Sequence, residues 1–220
     1  MPPPMNVTEL IIGMNLRPPA EIDAMGNPVL ELLRGDRRTH EYEAWTSWLT
    51  EAVRLAHEFS EVEDDPFAYN ETATVSLLTA AAAKADMLAL AEYVSRKKRR
   101  DDRRSNIPGR CDLWLYDNST SWAFEFKQKF YQGGQHKVET LSGWLDEACD
   151  DASRLSEFEA TKRFGALVIS CRDAVEIDRR FERNLVEFAK NVHFAWLLDP
   201  DTVHASRTYI LFFEPRRPQR

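Results

Sequence analysis

Asp112, Glu125 and Lys127 are the residues of this chain whose types and spacing could do chemistry together. Asp112 stands near the head of the apolar run CDLWLY, and after twelve intervening residues Glu125 and Lys127 follow within WAFEFKQ. Successive side chains of a strand point to opposite faces. Trp122, Phe124 and Phe126 then share one face, suited to a core, and Ala123, Glu125 and Lys127 share the other. Glu125 and Lys127 emerge about 7 Å apart along the strand. A hairpin through the turn DNSTS would bring Asp112 beside them. Two carboxylates supply the hard oxygen ligands that Mg²⁺ or Mn²⁺ takes, with water and phosphate oxygens completing the shell. An ammonium beside them can orient or deprotonate a water and stabilise charge on a phosphate under attack. The set suffices for metal-assisted hydrolysis of a phosphodiester. A Glu-x-Lys triplet alone often marks a solvated strand with a weak ion pair, so the weight lies on the matching Asp112 and on the order of the elements.

The elements that must position these residues are legible as patterns. Residues 1 to about 35 are rich in Pro and Gly and read as loops with a short helix near Val29–Leu33. Trp45, Trp48, Leu49, Ala52, Val53, Leu55 and Ala56 recur at helical spacing until EDDPF breaks it. A second helix is predicted from about Glu71 to Val94, capped by Asn70 and carried by the Ala- and Leu-rich stretch SLLTAAAAKADMLALAEYV. Strands follow at about 111–116 and 122–128. GGQHK breaks the pattern, and KVETLSGWLDEACDDASRLSEFEATKRF follows as an amphipathic helix. GALVISC is a buried strand, AVEIDRRFERNLVEFAK a helix, and VHFAWLL and TYILFFE are strands. The implied fold class is α/β, a mixed central sheet with helices on its faces.

Bulk properties narrow the function classes. Of 220 residues, 43% are hydrophobic and 30% charged, enough for a packed core. No apolar run approaches the roughly 20 residues that span a bilayer, and the N-terminus does not read as a signal peptide. The three cysteines include no CxxC pair, as expected for reduced thiols in a cytoplasmic protein rather than a zinc site. A net charge of −7 argues against non-specific coating of nucleic acid by the whole surface. The cations are concentrated, however: Arg96–Arg104 (RKKRRDDRR) holds seven of them against two anions.

Asp112 followed by Glu125-Phe126-Lys127, with Asp112 near the head of an apolar strand and Glu-x-Lys within the next, resembles the PD-(D/E)xK nuclease superfamily over about residues 70–171. The resemblance implies a restriction-endonuclease-like core of αβββαβ order: a helix, a three-stranded antiparallel meander, a helix and a fourth strand. It implies an Mg²⁺- or Mn²⁺-dependent nuclease acting on DNA, with Asp112 and Glu125 as metal ligands and Lys127 positioning the attacking water. Cys111 stands where many members have Pro. The first strand of the meander has only SRKKRRDDRRSN available, poor strand material unless it forms a charged edge. Members often carry a further carboxylate on the first helix, and Glu71 and Glu92 are the candidates. They would lie about 31 Å apart on a helix, so only one can reach Asp112. A strand running back along the helix favours Glu71, whereas a loop leaves Glu92 equally placed.

Domain boundaries follow: a helical N-terminal extension over 1–66, a nuclease-like domain over 67–215 and a basic tail over 216–220. Arg96, Lys97, Lys98, Arg99, Arg100, Arg103, Arg104, Arg110 and Lys129 are candidate DNA-phosphate contacts, which would carry no sequence preference; a solvated connection is the plainer reading. His136 is a minor candidate phosphate contact. Asp146, Glu147, Asp150 and Asp151 read as an exposed helix face rather than a metal site. DNA is the expected partner, no membrane is, and homodimerisation is left open. Two rival readings stand: a nuclease fold without activity that binds nucleic acid or protein, and an assembly protein using Trp45 and Trp48 as an interface.

Overall fold

In a computed structural model that describes residues 27–99, 105–131, 138–171 and 179–215, the chain is an α/β protein. Among these residues it has one mixed sheet of seven strands: β1 (Val29–Arg34), β2 (Leu88–Lys98), β3 (Asn106–Tyr116), β4 (Ser121–Tyr131), β5 (Lys162–Cys171), β6 (Phe194–Asp199) and β7 (Arg207–Phe213). They lie in the order β1-β6-β7-β5-β4-β3-β2, and only the β4/β5 pair is parallel. The helices are α1 (His40–Ser60), α2 (Glu71–Lys84), α3 (Val138–Arg154) and α4 (Arg179–Ala189). From residue 71 to 171 the order is therefore α2-β2-β3-β4-α3-β5. A parallel neighbour requires a crossover connection, and α3 supplies it between β4 and β5.

Two apolar clusters hold the layers together. On one face, α1 and α2 set Trp45 and Trp48 against Phe124, Phe164, Trp196 and Phe212. Both Trp side chains are 0% exposed, which removes the expectation that this face of α1 is an interface. On the other face, α3 and α4 pack Leu141, Leu145, Phe181 and Leu185 over Leu167, Ile169 and Leu211. Gly165 lets α3 approach β5 closely, since a Cβ there would lie 2.6 Å from the Cys149 backbone nitrogen.

Three predicted helices are corrected. The helix expected over 137–164 ends at Arg154, and Lys162, Arg163 and Phe164 open β5 instead, where they pair with β4. Residues 29–34 form β1, paired antiparallel with β6, rather than a short helix. The second helix ends at Lys84 instead of reaching Val94. Asp86 takes a left-handed conformation (φ 58°), and Met87 N–H donates to the Ala82 carbonyl at 2.9 Å. This is a Schellman closure, and it terminates the helix whatever the propensity downstream. LALAEYVSRKK is then free to pair with β3 on both sides of Glu92, so the charged run begins as the end of an edge strand.

Candidate active site

β3 and β4 part company partway along. Their ladder covers Leu113–Tyr116 against Phe124–Ser121, while β4 stays paired with β5 from Trp122 to Tyr131. At the point of separation Glu92, mid-strand in β2, has φ 52°, and the register on either side of it places it opposite Asp112. Beyond this point the β2–β3 ribbon folds back toward the end of α3. Ser156 N–H donates to the Arg96 carbonyl at 2.9 Å, and Arg154 Nε to the Lys98 carbonyl at 3.1 Å.

The separation leaves β4 with backbone donors that β3 does not satisfy, and two carboxylates take them. Asp112 Oδ2 accepts from Phe126 N–H at 2.7 Å, and Glu71 Oε2 accepts from Gln128 N–H at 3.1 Å. Glu71 is thereby held at the first turn of α2, behind the Asn70 cap, where burial and then the nearby Asp112 carboxylate raise its pKa. Glu92 lies on β2 rather than on the helix and pairs with Arg110. Between the two candidates for the helix carboxylate, Glu71 is the one brought beside Asp112.

The strand alternation places Trp122, Phe124 and Phe126 in the α1/α2 core and Glu125 and Lys127 on the α3 side. Glu125 is 2% exposed; its Oε2 accepts from Lys97 Nζ at 2.8 Å, and its Oε1 is buried with no hydrogen-bond partner. Burial, reinforced by the Asp112 carboxylate and opposed by Lys97, pushes Glu125 up to about 8. Burial also raises Asp112, against the pull of the Phe126 N–H and of Lys127. Lys127 Nζ lies 3.1 Å from Asp151 Oδ2. Burial disfavours the Lys127 ammonium, but Asp151, Glu71 and Asp112 together outweigh it and hold its pKa above the ordinary lysine value. A groove of about 690 Å³ opens beside Lys127, lined also by Asp146, Glu147, Asp150, Asp151 and Arg154.

The remaining candidates divide. Lys97 is turned into the site rather than toward solvent, its side chain 13% exposed. Arg96 and Arg99 are exposed and Lys98 half-buried at the end of β2. Arg110 is exposed but tied to Glu92, and Lys129 sits 5.5 Å over the Trp144 ring. Arg100, Arg103, Arg104, His136 and the 216–220 tail lie outside the described residues. Two site residues were not legible as such. Lys97 was hidden in a run that looked uniformly basic; reading LALAEYVSRKK as a strand would have separated it from Arg96 and Lys98 by alternation. Asp151 stands in sequence among the exposed Asp146, Glu147 and Asp150, yet it flanks the buried Ala148–Ala152 stripe of α3 and pairs inward with Lys127. Among the described residues no three His, Cys, Asp or Glu side chains are gathered to hold a metal ion, and no helix is long and apolar enough to cross a membrane.

No family model, no curated protein and no solved structure matches the chain.

Proposed function

We propose that the chain is a metal-dependent nuclease with a PD-(D/E)xK-type core, hydrolysing phosphodiester bonds of DNA. The observation that carries this reading is the meeting of Asp112, Glu125, Lys127 and Glu71 where β3 leaves β4, inside an α2-β2-β3-β4-α3-β5 order. The donor chemistry fits a divalent cation. Glu125 Oε1 is buried without a partner, and Asp112 and Glu71 offer hard carboxylate oxygens of the kind Mg²⁺ and Mn²⁺ take. The three carboxyls are not gathered around one point in the metal-free chain, so Asp112, Glu125 and Glu71 would draw together to hold Mg²⁺ or Mn²⁺, which when bound supplies Lewis-acid polarisation of the phosphate and a more acidic water.

The chain's own residues do the rest. Lys127, held as an ammonium in the metal-free chain by Asp151, Glu71 and Asp112, orients a water and stabilises negative charge on the phosphate. Asp151 holds that ammonium in place from α3. The acidic wall of the groove repels a phosphate by itself, so approach of DNA relies on Lys127 and on the exposed Arg96 and Arg99 at the ribbon end.

The test is cleavage of supercoiled, linear and single-stranded DNA with Mg²⁺ or Mn²⁺. Lys127→Ala should abolish cleavage and leave the urea unfolding transition cooperative. Cleavage that persists unchanged in that variant overturns the mechanism. A second reading, a nuclease fold that binds DNA without cutting it, is favoured by the internal pairing of both site lysines, Lys97 with Glu125 and Lys127 with Asp151. It predicts salt-sensitive DNA binding with no metal-dependent product.

A further inference from the structure

Lys97 makes an unusual journey. It is paired in register with Ile107 of β3, yet its ammonium reaches Glu125 on β4, one strand beyond. The route runs over Gly109. A Cβ built on Gly109 would lie 2.7 Å from Lys97 Cδ, 2.8 Å from Cγ and 3.2 Å from Cβ. Among the described residues the only glycine with positive φ is Gly35, so Gly109 is needed for space and not for a left-handed backbone. The missing side chain leaves a slot, and the lysine stem fills it.

The end of that route is specific as well. Lys97 engages Oε2 of Glu125 and leaves Oε1 buried and unpartnered. A buried polar atom left so is costly, and a lysine placed merely to neutralise a carboxylate would not need a glycine cut into the intervening strand. Buried ion pairs are in general weak contributors to net stability.

We propose that Lys97 is a positioning residue of the site, threaded through the slot above Gly109 to grip Oε2 of Glu125 and leave Oε1 free to receive a divalent cation. This rests on the nuclease reading for its purpose. Partners that orient a ligand without touching the metal change metal affinity about 10- to 100-fold when removed, and that is the effect expected here.

Mn²⁺ binding to the full chain, read by isothermal titration calorimetry without DNA, tests it in four proteins: wild type, Lys97→Ala, Gly109→Ala and the double variant. Circular dichroism confirms that each is folded at the temperature used. Gly109→Ala, which keeps the ammonium but displaces its stem, should weaken Mn²⁺ binding by about 10- to 100-fold, and Lys97→Ala should weaken it less, because losing a positive charge beside the carboxylate favours the cation. The double variant should bind no more weakly than Lys97→Ala, because the methyl on residue 109 then has no stem to displace. Gly109→Ala removes no charge, so it carries the test alone if Lys97→Ala does not fold. Unchanged Mn²⁺ affinity in Gly109→Ala, or fully additive losses, overturns the role of Lys97 and leaves the nuclease reading standing. Wild-type protein that binds no Mn²⁺ overturns the nuclease reading, and the place of Lys97 in it falls as well.

Discussion

Replacing Glu125 by Gln should reshape the pH dependence of stability in the metal-free protein. The Glu125 carboxyl is raised from 4.5 to about 8 by burial and by Asp112, with Lys97 opposing. Between those two values the folded chain binds a proton that the unfolded chain has released, so stability falls as pH rises through the window. The contribution is fully present below pH 4.5 and lost by the time pH passes about 8. At 1.36 kcal/mol per unit, the full swing is about 5 kcal/mol. Gln cannot ionise and escapes this loss, although its amide changes the contact with Lys97 by an amount that does not vary with pH. Asp112 and Glu71 are raised by burial in the same direction and remain in both proteins, so their effects largely cancel in the comparison. Urea unfolding of wild type and Glu125→Gln in EDTA, from pH 5 to pH 9, reads the difference directly. The variant should gain on wild type progressively, by several kcal/mol across the range. Two stability profiles that run parallel from pH 5 to pH 8 would refute the reasoning, because Glu125 would then titrate alike in the folded and unfolded chains.

Three further outcomes are expected. Gly165→Ala should destabilise the protein by about 3 kcal/mol or more, because its Cβ meets α3 backbone rather than a side chain that can move, and thermal unfolding measures it. Trp45→Ala, which empties the centre of the aromatic cluster, should cost about 3–5 kcal/mol in urea unfolding. Burial pushes Cys111, Cys149 and Cys171 up to about 12, so none should react with an aromatic disulfide reagent at pH 8 in the native protein, and all three should react once it is unfolded. Rapid native labelling of any one of them counts against its burial.

Period and composition were enough for the helical stripe of α1, the apolar strands β5, β6 and β7, and the two faces of β4. Each is written locally, as a spacing of 3.6 or of 2 that tertiary contacts then use. The sorting of Trp122, Phe124 and Phe126 from Glu125 and Lys127 needed nothing beyond strand alternation. Propensity misled where a cap overruled it. Asp86 closes α2 by a hydrogen-bond pattern rather than by composition, and Leu88–Lys98 become strand because β3 is there to pair with them.

The sequence by itself determined which residues could do the chemistry: a carboxylate on one strand, which the structure places past the middle of β3 rather than at its head, and a carboxylate and an ammonium on one face of the next. Only the tertiary structure decided how they are held. The parting of β3 from β4 exposes the N–H groups that Asp112 and Glu71 satisfy, and this selects Glu71 over Glu92. The fold-back of the β2–β3 ribbon over Gly109 sends Lys97 inward, and the placement of α3 gives Lys127 its partner Asp151. The physical reason is that local spacing settles which way a side chain faces, whereas the charge that meets it belongs to another element, delivered by sheet order and twist from tens of residues away.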